Sequence, residues 1–233
     1  KIPENIFTLA DIWHNLNHLE QDMALQSLEK ATEYSTETLE ERDKVIDSLH
    51  EIYKKSVGQK IVIEMYVTVL ERGDVSEEKI DFILGDALED TRLTGDGQKK
   101  PFPDLFNVLG KRHPEKVIDF LSKWRVQSKD KPMRFIITEY SDLYSPSLIK
   151  HIKSNNVKPG SEIFRALREI DYNEVSNENQ KLVADTIIEH SKETDSQAEI
   201  YSDILAKIGE PALNRLSREL KELNTGSSTL VEL

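Results

Sequence analysis

Four polar side chains near the start of the chain, Asp11, His14, His18 and Asp22, are of types that bind metal ions. Two histidines four residues apart lie one turn apart on the same face of an α-helix, where their imidazoles can share an ion. The HExxH helix of metalloproteases uses this spacing, but its catalytic glutamate has no counterpart between these two histidines. We therefore expect a solvated polar helix face here, with no metal and no cofactor.

Motifs for other chemistry are scarce. The sequence has no cysteine, which excludes disulfides, thiolate zinc sites and cysteine nucleophiles, and is typical of an intracellular protein. The pattern Gly95, Asp96, Gly97 lacks the lysine and the hydroxyl residue of a nucleotide-binding loop. Among 43 acidic residues, neighbouring carboxylates arise by chance. We therefore expect a cytoplasmic protein that is not an enzyme.

The hydrophobic pattern places these residues on helices almost throughout. Between Pro114 and Arg125, for example, the apolar residues Val117, Ile118 and Leu121 form one helical stripe. The predicted helices are 5–34 (one helix, or two broken near Asn17), 36–56, 59–72, 77–93, 103–112, 114–127, 132–144, 146–155, 161–171, 177–193, 196–208 and 211–223. Segment 59–72 is rich in β-branched residues, so a strand is the alternative there, but a single strand would have no partner.

Particular residues mark the predicted helix ends. Proline at a first helical position loses no hydrogen bond, and serine just before a helix caps its free N–H groups. Glycine just past a helix adopts the left-handed conformation that ends it. These rules assign first positions to Pro114, Pro146 and Pro211, N-caps to Ser76, Ser145 and Ser176, and left-handed C-terminal positions to Gly58, Gly73 and Gly209.

The predicted helices group into pairs. The second helix of each pair begins near residue 36, 77, 114, 146, 177 or 211, a period of 31 to 41 residues. Such periods are the signature of α-solenoids, in which each pair buries its apolar face against the next. We expect Leu213 and Leu216 to be buried in this way against the preceding helix, at Ile204, Leu205 and Ile208. An irregular all-α globule is the alternative fold.

Residues 200–220 carry the clearest unit, with Leu205, Ile208, Gly209 and Pro211 at its turn. This unit resembles the HEAT-like helical-repeat family, whose first helix ends in Leu-x-x-Ile-Gly and whose second opens with Pro-Ala-Leu. Looser copies lie at 106–124 and 140–152. The resemblance implies an all-α, right-handed solenoid of about six antiparallel helix pairs without a sheet, and a protein that binds other molecules. We expect one helical-repeat domain over residues 1–224 and a flexible tail over 225–233.

The charge is distributed unevenly along the chain. The net charge is −12 overall, but residues 111–160 carry 11 basic and 5 acidic residues, whereas 1–110 carry 12 and 23, and 161–233 carry 8 and 15. If the second helices line the concave side, their basic residues would approach one another. The candidate partner-binding residues are Arg112, Lys116, Lys123, Lys150 and Lys153. A solvated face is the alternative interpretation.

We therefore expect a scaffold that binds another protein, with an acidic surface, through its curved face. The alternative function is HEAT-like nucleic-acid binding or DNA repair, for which Asp119, Trp124 and Arg134 are candidates because some HEAT-like DNA glycosylases use these residue types. The net charge of −12 disfavours binding to nucleic acid. The basic segment could also meet the acidic regions of a second copy. The densest apolar stretch, Ile61 to Leu70, is too short to span a membrane, so no membrane partner is expected.

Overall fold

A computed structural model describes residues 12–34, 37–56, 60–89, 103–123, 132–155, 157–193 and 198–228. Within these ranges the chain forms α-helices and two short 3-10 helices, and it contains no strand. The prediction of an all-α protein is confirmed. Over the same ranges, no helix is both long and apolar enough to cross a membrane.

Twelve α-helices follow one another in the described part of the chain. They are α1 (His18–Tyr34), α2 (Leu39–Ser56), α3 (Lys60–Arg72), α4 (Glu77–Glu89), α5 (Pro103–Arg112), α6 (Pro114–Lys123), α7 (Pro132–Glu139), α8 (Ser141–Asn155), α9 (Glu162–Glu169), α10 (Asn177–Glu193), α11 (Ala198–Ile208) and α12 (Glu210–Ser228). The 3-10 helices are Trp13–Asn15 and Tyr172–Glu174. We call the even-numbered helices, α2 to α12, the second helices.

The chain divides into two compact units. Unit 1 contains the described residues up to Phe120, and unit 2 contains Leu121–Lys123 and the described residues from Met133 on. In unit 1, α3 packs against α1, α2, α4 and α5, and α2 packs against α4. In unit 2, α10 packs against α8, α11 and α12, and α11 packs against α9 and α12. Each of these contacts joins a helix to the next helix or to the next but one.

Each unit has an apolar core made by the stripes that the sequence predicts. The largest fully buried side chains include Tyr66 and Phe106 in unit 1 and Tyr144 and Phe164 in unit 2. The β-branched segment that could have been a strand is helix α3, as predicted. Val62, Ile63 and Val69 are fully buried because α3 contacts four other helices of unit 1.

Two reciprocal caps fix the first helices. Asn17 accepts a hydrogen bond from the Glu20 N–H at 3.1 Å, and Glu20 accepts one from the Asn17 N–H at 2.9 Å. Thr38 and Glu41 make the same exchange at the start of α2. Each exchange is a capping box, which satisfies two N–H groups that would otherwise lack a partner. The predicted break near Asn17 is confirmed, and the residues before 12 lie outside the described ranges.

The predicted helix boundary at Pro146 is wrong. Helix α7 ends at Glu139, and α8 begins at Ser141 and continues through Pro146. Ser145 is therefore not an N-cap; its hydroxyl donates to the Ser141 carbonyl. Proline cannot donate to the carbonyl four residues earlier, that of Asp142. The Asn179 side chain donates to that carbonyl at 2.9 Å, which lets the helix tolerate the proline.

The three predicted left-handed glycines have different outcomes. Gly209 has φ of 72° and ends α11, as predicted. Gly73 does not have a positive φ, so that prediction is wrong. Space explains the glycine instead, because a Cβ at Gly73 would lie 2.6 Å from Cζ of the buried Arg42. Gly58 lies outside the described residues.

The predicted burial of the α12 leucines is wrong for Leu213, which is 63% exposed, while Leu216 is half-buried. The neighbouring Ala212 is buried, and the stripe that faces the protein continues through Arg215 and Glu219. Arg215 pairs with Asp185 of α10, so ion pairs occupy the inner stripe and turn Leu213 outward.

Helix α12 also extends to Ser228, beyond the predicted start of a tail at 225; residues 229–233 lie outside the described ranges.

Candidate binding surface

Ion pairs join successive second helices within each unit. Their N to O distances run from 2.6 to 3.5 Å. The pairs are Lys79 with Asp47 (α4 to α2), Lys116 with Asp81 (α6 to α4), Lys153 with Glu189 (α8 to α10) and Arg215 with Asp185 (α12 to α10). Charges that look like solvated faces in the sequence therefore tie neighbouring helices together.

A second contact recurs in both units at the start of a second helix. In unit 1, an Asp43 oxygen accepts a hydrogen bond from the Ser76 N–H at 2.9 Å, across 33 residues. In unit 2, an Asp142 oxygen accepts one from the Ser176 N–H at 2.9 Å, across 34 residues. Asp142 also accepts from Asn179 at 2.6 Å, and these bonds hold the pKa of Asp142 below its usual value, the Ser176 N–H contributing most. An aspartate on one second helix thus caps the next.

The predicted N-caps fit into these contacts. Ser176 accepts a hydrogen bond from the Asn179 N–H at 3.4 Å and donates its own hydroxyl to Asp142 at 2.8 Å. Ser76 precedes α4, and its carbonyl accepts the N–H groups of Lys79 and Ile80. Both serines therefore stand at the helix starts where the sequence placed them. The aspartates that cap from the preceding second helix were not predicted, because nothing local in the sequence marks them.

Two of the predicted basic residues lie in unit 1 and make ion pairs there. Arg112 donates to Asp74 at 3.1 Å and to the Glu71 carbonyl at 3.2 Å. Lys116 lies 3.1 Å from Asp81 and has only 25% of its side chain exposed. Their positive charges are therefore largely balanced by acids of the same unit.

The other three basic residues lie in unit 2. Lys123, at the end of α6, and Lys150, on α8, are exposed. Lys153 is 49% exposed and lies 3.5 Å from Glu189. The five candidates thus form two groups, one in each unit, and a joint basic patch stays a prediction.

The two weaker hypotheses gain no support. The helical spacing proposed for His14 and His18 is interrupted, because residues 13–15 form a 3-10 helix and α1 begins only at His18. Asp11 lies outside the described residues, as do the side chains of His14 and Asp22, and the described residues hold no group of three metal-binding side chains. Of the DNA-repair candidates, Asp119 is half-buried, while Trp124 and the Arg134 side chain lie outside the described ranges.

A buried carboxylate in unit 1 organises a cluster that sequence reasoning missed. Asp86 of α4 is 2% exposed. The Tyr66 hydroxyl of α3 donates to it at 2.5 Å, and Nδ1 of His50 on α2 lies 2.8 and 2.9 Å from its two oxygens. Burial, and next the Asp86 charge, hold the pKa of Tyr66 well above its usual value, so tyrosine remains a donor. Three helices therefore meet at one satisfied carboxylate.

The geometry leaves one nitrogen of His50 for other contacts. With Nδ1–H donated to Asp86, Nε2 is the acceptor of the neutral ring. The side chain keeps 12% of its surface exposed. A carboxylate that holds Nδ1 in this way fixes both the tautomer and the ring orientation. The arrangement can present an oriented hydrogen-bond acceptor.

Aromatic and small residues flank this imidazole. The Phe82 ring stacks on His50 with centroids 4.4 Å apart and planes 1° from parallel. The Lys79 ammonium lies 4.9 Å from the centre of the Phe82 ring. Burial lowers the pKa of Lys79, but the ion pair with Asp47 outweighs it and the pKa is raised. One turn further along α4 is Gly85, where an added Cβ would meet no heavy atom of the described residues within 4 Å.

One sequence signal could have located this cluster. Asp86 stands inside an otherwise apolar run, between Leu84 and Leu88, and an acid in such a run is buried only when it has partners. The identity of the partners depends on long-range packing and could not be predicted.

In comparisons with known proteins, the chain matched no protein-family model, no curated protein and no solved structure.

Proposed function

We propose that the chain is a HEAT-like, right-handed α-solenoid of six antiparallel helix pairs. The packing supports this, since the main helix contacts in each unit join a helix to the next helix or to the next but one. The recurrence of the aspartate cap, 33 residues apart in unit 1 and 34 in unit 2, also supports a repeated structural unit. Stacked helix pairs of this kind present long continuous surfaces for binding.

The proposed function is that of a non-enzymatic, cytoplasmic scaffold that binds another protein through its curved surface. The observation that carries this proposal is the linkage of successive second helices by caps and ion pairs, which makes one layer of them in each unit. The absence of cysteine from the sequence supports the cytoplasmic location. A scaffold needs a preformed surface rather than a set of catalytic residues. The layer of linked second helices provides a preformed surface.

The proposed partner of the basic residues is a protein with an acidic surface. The exposed side chains of Lys123, Lys150 and Lys153 support this choice. Lys116 has only 25% of its side chain exposed, so we expect it to contribute less. Nucleic acid and a second copy of the chain are the alternative partners.

Affinity capture from the native source tests the proposal. The bait is the full chain, compared with the double variant Lys123→Glu, Lys150→Glu and with Lys181→Glu, an exposed control on α10. We expect the wild type and the control to retain an acidic protein that the double variant loses. Retention of nucleic acid alone would favour the alternative function. Two outcomes would contradict a partner-binding scaffold. One is a chain that retains no macromolecule, and the other is self-association of the wild type that only the double variant abolishes.

A further inference from the structure

Gly85 is a glycine that the described residues around it do not require. It lies inside α4, where glycine destabilises a helix relative to alanine. The described residues leave room for a Cβ at this position. Gly73 and Gly209 differ, because a Cβ at Gly73 would collide with Arg42 and Gly209 has a φ of 72°. An alanine would therefore suit the isolated protein better at position 85, which suggests that something outside it approaches there.

Three residues around this position form one surface. Phe82 and Gly85 are three residues apart and so share a face of α4. His50 stacks on Phe82 and bonds to Asp86, the residue next to Gly85. We call His50, Phe82 and Gly85 the Gly85 surface. It combines an oriented acceptor, a half-buried aromatic ring and bare helix backbone.

The charges around the Gly85 surface select the partner. Acidic side chains lie within about one turn of these residues on α2 and α4: those of Asp47, Glu51, Glu78 and Asp81 are 42 to 71% exposed. Two of the cations that pair with them are less exposed, Lys79 at 13% and Lys116 at 25%. Lys54, paired with Glu51, is the exposed exception. The outer layer of charge is therefore negative, which attracts a basic ligand and repels an acidic one.

We propose that the Gly85 surface binds a basic segment of a partner protein, rich in arginine or lysine. The backbone of this segment lies against α4 at Gly85, where the missing side chain permits close approach. A donor of the segment bonds to Nε2 of His50, and its positive side chains meet Asp47, Glu51, Glu78 and Asp81. The site uses acids of unit 1 and does not involve Lys123 or Lys150, the basic residues that the affinity capture changes, so it can fail independently of the proposed function.

The test uses a fluorescent octa-arginine peptide as the probe, with octaglutamate as the opposite-charge probe. Binding is followed by fluorescence anisotropy for the full chain, Gly85→Ala, His50→Asn and the control Ser202→Ala, an exposed residue on α11. Asparagine keeps a donor for Asp86 but lacks the Nε2 position. Gly85→Ala and the control leave the charge unchanged, so only contact at the site can alter affinity for octa-arginine.

We expect octa-arginine to bind the wild type and the control equally, and Gly85→Ala to weaken it about tenfold, the effect of one misplaced methyl group in a contact. His50→Asn should weaken it in the same direction. Gly85→Ala should at the same time raise the urea midpoint, which rules out misfolding as the cause. Equal binding by the wild type and Gly85→Ala, no binding by the wild type, or equally tight binding of octaglutamate would overturn the inference. Affinity capture through the basic residues would remain intact in each of these cases.

Discussion

His50 in unit 1 and His190 in unit 2 both lie on second helices, and each offers Nδ1 to one oxygen-bearing partner. The partner of His50 is the carboxylate of Asp86, at 2.8 Å, and the imidazole keeps 12% of its surface exposed. The partner of His190 is the hydroxyl of Tyr201, also at 2.8 Å, and this imidazole is buried. The same residue type on a second helix is therefore paired with a charged group in unit 1 and with a neutral group in unit 2.

The surroundings of the two rings differ as well. His50 stacks on the half-buried Phe82, beside the open backbone at Gly85. His190 packs against the fully buried Phe164, with centroids 5.1 Å apart, inside the core of unit 2. We infer that His190 fills a core and that His50 is available for recognition. Burial and partner chemistry, rather than residue type, separate the two roles.

The largest effect should come from Asp86. We expect Asp86→Ala to lower the free energy of unfolding by about 3 kcal/mol or more, because the buried donors of Tyr66 and His50 then lose their acceptor. Urea unfolding at neutral pH measures the change. His50→Asn, which keeps a donor for Asp86, is the matched control and should cost clearly less. A loss below about 1 kcal/mol for Asp86→Ala would show that the carboxylate does not organise unit 1.

The corresponding change in unit 2 should be smaller. We expect His190→Leu to lower the free energy of unfolding by about 1–3 kcal/mol, since the lost bond is to a neutral hydroxyl and the leucine still packs against Phe164. The same urea experiment applies. If His190→Leu cost more than Asp86→Ala, the contrast between a charged and a neutral partner would be wrong.

The aspartate caps allow a finer comparison of the units. Asp43→Ala and Asp142→Ala should each cost about 0.5–2 kcal/mol, as for the loss of other N-caps. Asp142 should cost more, because it accepts from Ser176 and Asn179, whereas Asp43 is observed to accept from Ser76. Faster amide exchange at Ser76 or Ser176 in the matching variant reports the lost bond. Unchanged amide exchange at either serine would show that the aspartate does not cap that helix.

Acid should weaken the Asp142 cap in a definite direction. The pKa of Asp142 is lowered in the folded protein, chiefly by the Ser176 N–H. Its contribution is therefore complete above the ordinary aspartate pKa of about 3.9 and is lost as the pH falls through the lower folded value. The wild type and Asp142→Ala should converge in stability over that window. Parallel curves down to the lowest pH would contradict this linkage.

The smallest effects should come from two glycines and have opposite signs. Gly85→Ala should raise the free energy of unfolding by about 0.5–1 kcal/mol, because alanine favours a helix interior and its Cβ meets none of the described residues. Gly209→Ala should lower it by about 1 kcal/mol, since the φ of 72° strains a residue with a Cβ. Thermal unfolding of both variants side by side gives the signs. A destabilising Gly85→Ala would mean that the fold itself requires glycine there.

Local chemistry made much of the fold predictable. Helical periodicity identified α3 in spite of its β-branched residues, and Gly209 ends α11 as its position after Ile208 predicts. These features depend on residues within one or two turns of each other. A single sequence contains that information directly.

Features that depend on distant residues were not predictable. Pro146 lies inside α8 because Asn179, on α10, supplies the hydrogen bond that proline removes. Leu213 is exposed because Arg215 pairs with Asp185 of another helix. The His50–Asp86 contact likewise joins residues 36 positions apart. In each case the decisive partner lies on another helix, and no local pattern identifies it.

The central claim is the proposed stack of helix pairs that presents an extended surface. Small-angle X-ray scattering of the full chain tests this claim most directly. A compact globule of this length has a radius of gyration of roughly 17–18 Å. We expect a clearly larger value and an elongated distance distribution, because stacked pairs extend along one axis. A radius of gyration of about 17–18 Å with a spherical particle shape would contradict the proposed solenoid and the scaffold function built on it.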